Sequence, residues 1–445
     1  MNDEKKTNAS IYADAVQVLP GGVSRNTIFH KPFPHYVAGA KGCLVTDIDG
    51  VERIDFANNM ASLIHGHAYP PIVDAVTEQL KKGTAYTLAT EIEVRYAELL
   101  CNRCDSLEKI RFVNSGTEAV MAMIKASRAF TGRHKIAKAE GAYNGTYDYI
   151  EVSQVSSPDN WGELDHPNRN ALAHGTPPAV LEDVIVYPFN DVERTLKLLD
   201  ENASDLACVL IDPIPHRVGL FEATAAFVEA VYDWTRKHDV LMVFDEVITF
   251  RTNFGGKQAD YTVRPDLTAL GKMIGGGFPV GAVGGRADVM DVMDPNKSPL
   301  PLPHSGTFSA NPITMTAGYI AMRDFDQEAV LALNELTAGA RVRVAGAIQA
   351  AHIPISITGA GSMFRLHPKP TAPESYREGY QGKEEKAIMT RLLDHMFYKE
   401  NVIMVNTGTC MFSTAIGEKE VDQLVQGLTN AFEVVGPELK QLHKL

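Results

Sequence analysis

The sequence predicts an α/β protein: a mostly parallel sheet with helices on both faces, joined to a smaller α+β domain drawn from both termini. Three observations carry that expectation. The runs LACVLIDP (206–213) and LMVFDEV (241–247) are continuously apolar and end in or near an acid, as strands buried on both faces do. Between them, FVEAVYDWTRKHD has apolar residues at helical spacing and reads as the crossover helix of a βαβ unit. The two ends of the chain have a different, α+β texture.

Along the chain, CLVTDIDGVERIDFA (43–57) reads as two strands around an IDG turn, hence an antiparallel hairpin. IRFVNS (110–115) is a strand followed by the helix TEAVMAMIKASRAF, and KIAKAE is another short strand. After about residue 315 come a long helical pattern, ITGAGSMFRLH as a strand, a helix near 385–400, and VIMVNTGTCMFSTA. The expected division is an N-terminal segment (1–60), a large α/β domain (61–315) and a C-terminal part (316–445), the two outer pieces forming the smaller domain. Residues 153–183 are polar and rich in Pro, Asn and Ser, and that length points to a functional lid or a partly disordered segment.

At 445 residues the chain exceeds a single core. A net charge of −13 argues against nucleic acid or an anionic membrane as the partner. No apolar run reaches the roughly 20 residues a spanning helix needs, and the charged start MNDEKKTNAS has no signal-peptide core. A cytoplasmic protein acting on small molecules is expected. Among the five cysteines, Cys101 and Cys104 have CxxC spacing, fitting a redox pair, half a zinc site, or a plain helix within EIEVRYAELLCNRC. Nothing nearby completes a metal site, and no metal is expected.

Candidate chemistry begins with LGKMIGGGFPVGAVGG (270–285), where seven glycines surround Lys272. Such a run fits either a solvated loop or an amine held in a tight pocket. Asp245 lies 27 residues earlier at a strand end, where an acid is either a helix cap or a group presented to a ligand crevice. Ser115, Gly116 and Thr117 form a strand-to-helix junction, either a simple capped start or a phosphate site. Tyr143, on the glycine-flanked loop EGAYNGTYD, is a core aromatic or a surface for a flat ligand. HSGTFSANP (304–312) adds Ser305, Gly306 and Thr307 as a second small-polar loop. Each fragment is ambiguous alone; in this order they make the inventory for pyridoxal 5′-phosphate. A lysine holds the cofactor aldehyde and a carboxylate keeps its pyridine nitrogen protonated.

RFVNSGTEA, VFDEVITFR, PDLTALGKMIGGGFPVGAVGGR and GTFSANPITMTAG closely resemble the class III, fold-type I aminotransferases, in the branch that includes glutamate-1-semialdehyde aminomutase. The similarity runs from about residue 15 to the C-terminus. It implies Lys272 as cofactor-holding lysine and proton shuttle, Asp245 on the pyridine nitrogen, and Gly116 and Thr117, beside Ser115, on the phosphate. It further implies Tyr143 and Val247 on the two ring faces, Thr307 reaching the phosphate of a neighbouring subunit, and a homodimer with shared active sites.

Departures from the aminomutase pattern bear on substrate. Asn144 stands where that pattern has His, and Asp212-Pro213 where it has Glu-Pro. LPGGVSRNTIFHKPFP (19–34) is more similar to β-phenylalanine aminotransferases, a resemblance that implies Arg25 as the clamp on a substrate carboxylate. A second arginine of those enzymes has no basic counterpart in VNTGTCMFS (405–413), leaving a neutral floor of Asn406, Thr407 and Thr409. Asp148, His216 and Arg217 are polar candidates without a role. The expected activity is ping-pong transfer of an amino group from a carboxylate-bearing amine, foremost a β-amino acid, to a keto acid. The alternatives are a glutamate-1-semialdehyde-type 2,1-aminomutase, an amine or ω-amino acid transaminase, a racemase on the same cofactor, or a binding protein that has lost catalysis.

Overall fold

The computed structural model describes residues 6–444; residues 1–5 of the charged start and Leu445 lie outside the described residues. Three N-terminal strands, β1 (Val37–Lys41), β2 (Leu44–Asp47) and β3 (Glu52–Asp55), form an antiparallel meander. The expected hairpin is β2–β3, with Leu44 opposite Ile54.

The central sheet has seven strands: β4 (Lys109–Val113), β5 (Lys135–Ala139), β6 (Val184–Tyr187), β7 (Leu206–Ile211), β8 (Leu241–Asp245), β9 (Leu267–Gly271) and β10 (Gly281–Gly285). Their spatial order is β4-β10-β9-β8-β7-β5-β6. All neighbours are parallel except β10, which runs antiparallel to both β4 and β9. Every residue of β7 and β8 is buried, which is why both read as unbroken apolar runs. The crossover helix between them is Ala225–His238.

One C-terminal segment differs from expectation. ITGAGSMFRLH is a hairpin of β11 (Ser356–Ala360) and β12 (Met363–His367), because Gly361 turns the chain with φ +51°. VIMVNTGTCMFSTA splits into β13 (Val402–Ile403) and β14 (Thr409–Met411) around Gly408. β13 pairs in parallel with β3, so one sheet contains both ends of the chain. The largest apolar cluster joins Phe112, Leu270 and Met273 of the central region to Phe364, Leu424 and Phe432 of the C-terminal region. Cys104 follows the helix Glu91–Arg103, is buried, and has its thiol pushed up to about 11 by that burial.

β10 is hidden from sequence reading: GAVGG is the weakest of strand sequences, yet all five residues are buried. The reason is crowding. A Cβ on Gly281 would sit 2.0 Å from the Ser115 carbonyl oxygen, and one on Gly285 would sit 2.2 Å from that of Asp266. The glycines let a strand pass where no side chain fits. Gly281→Ala therefore costs on the order of 1–3 kcal/mol by overpacking, read as a lower denaturation midpoint, whereas Ala at Gly339, which has open space around it, does not lower it.

Candidate active site

Four junctions lie along one edge of the central sheet. Ser115 follows β4, Asp212 follows β7, Asp245 ends β8 and Lys272 follows β9. These are the carboxyl ends of parallel strands, the edge at which open α/β sheets bind ligands. A cavity of ≈ 780 Å³ there is lined by Arg25, Ser115, Gly116, Thr117, Tyr143, Asn144, Asp212, Asp245, Val247 and Lys272, among others. That volume lies within the roughly 300–1,000 Å³ of small-molecule sites. Nine of the ten expected site residues are thus brought together. Thr307 is exposed and does not line the cavity.

The Ser115 hydroxyl accepts the Glu118 N–H (3.1 Å) and caps the helix Gly116–Thr131, while Glu118 reaches back to the Asn114 N–H. Ser115 is therefore a cap as well as a cavity residue. The N–H groups of Gly116 and Thr117 remain at the positive end of the helix dipole, an arrangement suited to an anion. Close packing fixes this junction: a Cβ on Gly271 would lie 3.1 Å from Val247 Cγ1 and 3.4 Å from Gly116 Cα.

Asp245 is 5% exposed; one carboxylate oxygen accepts the Asn144 amide (2.8 Å) and the other the Val247 N–H (3.0 Å). Burial raises its pKa, and these hydrogen bonds together with Lys272 oppose the rise. Asp212, equally sequestered, is pushed well above the usual carboxylate range by burial and by the charge of Asp245. Of the two acids Asp245, with two donors and the nearby amine, is the one held as the anion. Lys272 has φ +48°, a left-handed conformation costly for a side-chain-bearing residue and concentrated at functional sites. Burial lowers its pKa, with Asp245 and Asp212 acting in the opposite sense.

Arg25 is exposed at the cavity edge, and its Nη1 donates to Asn59 Oδ1 (2.7 Å). Asn59 belongs to a left-handed turn, Asn58 to Ala61, with φ from +44° to +70°. Such turns are strained by roughly 1–2 kcal/mol per residue. Asp55 accepts the N–H groups of Ala57 and Asn58, and the Asn58 amide donates to the Met411 carbonyl, which holds the turn in place. Sequence reading missed Asn59; the Asn-Asn pair, tolerant of left-handed backbone, was the available signal. Of the unassigned candidates, His216 and Arg217 line the cavity while Asp148 does not; Glu151, one turn on, does. Asn406 and Thr407 form part of the lining, whereas Thr409 lies behind it. Gln154, Val155 and Leu172 of the 153–183 segment also border the cavity.

The family model for class-III aminotransferases matches residues 28–375. The chain belongs to the class-III aminotransferase family. It is 34% identical over 429 residues to the glutamate-1-semialdehyde 2,1-aminomutase of Methanothermobacter thermautotrophicus, covering 94% of this chain and 99% of the relative. Among solved structures it is similar to an ω-transaminase from Sphaerobacter thermophilus, at TM-score 0.94 and 43% identity over 97% of this chain and 98% of that one. A β-phenylalanine aminotransferase from Variovorax paradoxus is similar at TM-score 0.87 and 30% identity, over 97% of this chain and 94% of that one.

As a class-III aminotransferase the enzyme works with pyridoxal 5′-phosphate, and the residues present fit that group. A buried carboxylate suits a protonated ring nitrogen, the free helix N–H groups suit a phosphate, and Lys272 suits an aldehyde. Asn144 Oδ1 is buried without a protein partner, which a ligand donor at that position would satisfy.

Behind the cavity, His367 is buried on β12 and held neutral, at about 3, by burial first and then by Arg365. Its folded pKa lies below the ordinary 6.5, so the unfolded chain binds the extra proton. The stability it contributes is full above about pH 6.5 and drains away as pH falls toward about 3. In His367→Gln the loss of stability between about pH 7 and about pH 4 is shallower than in the parent, as read from denaturant midpoints at the two pH values.

Proposed function

We propose that the enzyme moves an amino group from a carboxylate-bearing amine, a β-amino acid, to a keto acid by a ping-pong route. The observation that carries this reading is Arg25, an arginine at the cavity edge oriented by Asn59 and without a carboxylate partner among the described residues. A guanidinium pairs bidentately with carboxylate, so it selects acids over simple amines.

Pyridoxal 5′-phosphate, when bound, supplies the aldehyde through which nitrogen changes hands and an electron-accepting ring. In this proposal the N–H groups of Gly116 and Thr117, with the Ser115 junction, hold its phosphate. Tyr143 and Val247 flank the ring, and Asn144 keeps Asp245 oriented on the ring nitrogen. Lys272 holds the aldehyde and, once displaced by the incoming amine, takes and returns a proton at the carbon that bears nitrogen. That role requires a neutral amine, consistent with the lowering of its pKa by burial. The left-handed backbone at Lys272 and the short helical turn after it fix where that amine can swing.

A second copy of the chain fits the exposed apolar side chains Leu80, Tyr86, Leu88 and Phe308. Thr307, adjacent to Phe308, would then complete the site of the other subunit, giving the shared-site homodimer that the resemblance implies.

One other reading has a specific observation in its favour. The relatives named glutamate-1-semialdehyde 2,1-aminomutase match nearly the full chain, and residues 153–183 border the cavity mouth where a retained intermediate would need cover. Half-reactions separate the two. With cofactor-loaded enzyme, one enantiomer of a β-amino acid discharges the visible absorbance and a keto acid restores it. Arg25→Ala raises the half-saturating donor concentration about 10- to 100-fold and leaves amines lacking a carboxylate unaffected. Turnover with the semialdehyde alone, and none between β-amino acid and keto acid, would sink the transaminase reading. Lys272→Ala abolishes turnover while circular dichroism stays unchanged.

A further inference from the structure

Arg217 follows β7 in the same loop as Asp212 and lines the cavity, with its guanidinium carbon 5.0 Å from the centre of the Tyr143 ring. Among the described residues it makes no ion pair and no hydrogen bond. Behind it Arg365, on β12, is 7% exposed; its Nη1 donates to the His216 carbonyl (2.8 Å), and its Nε is buried without a partner. No carboxylate neutralises Arg365 either. Glu151, an acid on the same lining, forms no ion pair with either arginine. His216 and His367, which complete the group, are both kept neutral by burial and by these arginines. Arg217 thus stands on the cavity lining with no carboxylate partner among the described residues, and a second unpaired guanidinium, Arg365, is buried behind it. A guanidinium buried as Arg365 is, without an anion, is costly, and an anion bound at the half-buried Arg217 beside it lowers that cost.

We propose that Arg217 binds the carboxylate of the amino acceptor, an α-keto acid, at a place on the cavity lining separate from the donor clamp. Arg25 comes from the N-terminal segment and Arg217 from the loop after β7, so the cavity has two separate arginines. The two substrates require it. In a β-amino acid the carboxylate stands one carbon further from the reacting carbon than it does in an α-keto acid. A single fixed guanidinium cannot pair bidentately at both distances while the reacting carbon stays at Lys272. His216 Nε2 packs against Thr407 (3.1 Å) and Thr409 (3.3 Å), so the neutral segment 405–413 lies next to the residue that precedes this arginine.

This assignment rests on Arg25 serving the donor, and the two separate cleanly in half-reactions. Enzyme loaded with pyridoxamine phosphate and mixed with pyruvate reports the acceptor step alone, with no donor present. Arg217→Gln raises the half-saturating pyruvate concentration at least about 10-fold, and Arg217→Lys raises it less. A small aldehyde without a carboxylate, used as acceptor, reacts as it does with the parent, and the β-amino acid half-reaction stays within about twofold. Equal losses with pyruvate and aldehyde, or no change with pyruvate, would overturn the proposal. So would finding the pyruvate effect in Arg25→Ala instead, since Arg25 would then serve both substrates. Should Arg217→Gln fail to fold, the pyruvate-to-aldehyde ratio of Arg217→Lys decides by the same criteria.

Discussion

The site depends on one close approach: the glycine strand β10 passing over the junction between β4 and the helix that follows it. Gly281 faces the Ser115 carbonyl at a distance that excludes any side chain, and Gly271 stands against Val247 and Gly116. This contact brings the end of β9, and with it Lys272, beside the helix N-terminus that presents the Gly116 and Thr117 N–H groups. Val247, two residues beyond Asp245, fills the remaining gap. Lys272, the free helix N–H groups and the buried Asp245 are therefore positioned by a single packing constraint in the middle of the sheet.

Charge is arranged around that contact with little waste. Asp245 is kept anionic by an amide, a backbone N–H and an amine, whereas Asp212, with one backbone donor, takes the proton that two adjacent buried acids cannot both forgo. At Arg217 the imbalance has the opposite sign: it lines the cavity without a carboxylate partner among the described residues, with Arg365 buried behind it. A cavity that is anionic at Asp245 and cationic at Arg25 and Arg217 suits an enzyme that must orient carboxylates away from Asp245.

Rigidity is bought locally by strain. Lys272 and the turn from Asn58 to Ala61 occupy left-handed backbone, and both are locked by surrounding contacts, the second through Asp55 and the Met411 carbonyl. The segment 153–183 is tied to the body of the protein as well. The Ser156 N–H donates to the Tyr376 hydroxyl, and Arg377 donates to the carbonyls of Trp161 and Gly162 while pairing with Glu140. These ties account for its order in spite of its polar, strand-poor sequence.

The sequence by itself determined the sheet and most of the residues that the fold gathers at the cavity. Strands buried on both faces must be apolar throughout, so β7 and β8 declare themselves, and the residues at their ends follow from the chain path. Lys272, Asp245 and the Ser115–Thr117 junction were legible for that reason, since each lies next to an element with a strong local signal. Tertiary structure alone decided the rest. β10 carries no strand propensity, because its glycines answer a neighbour's backbone rather than their own conformation. Asn59 acquires a role only when a strained turn meets Arg25 across 34 residues of sequence. Arg217 has no meaning in the string HRVGL. Its significance is the absence of a partner, and a missing counter-charge can be seen only once every nearby side chain has a position.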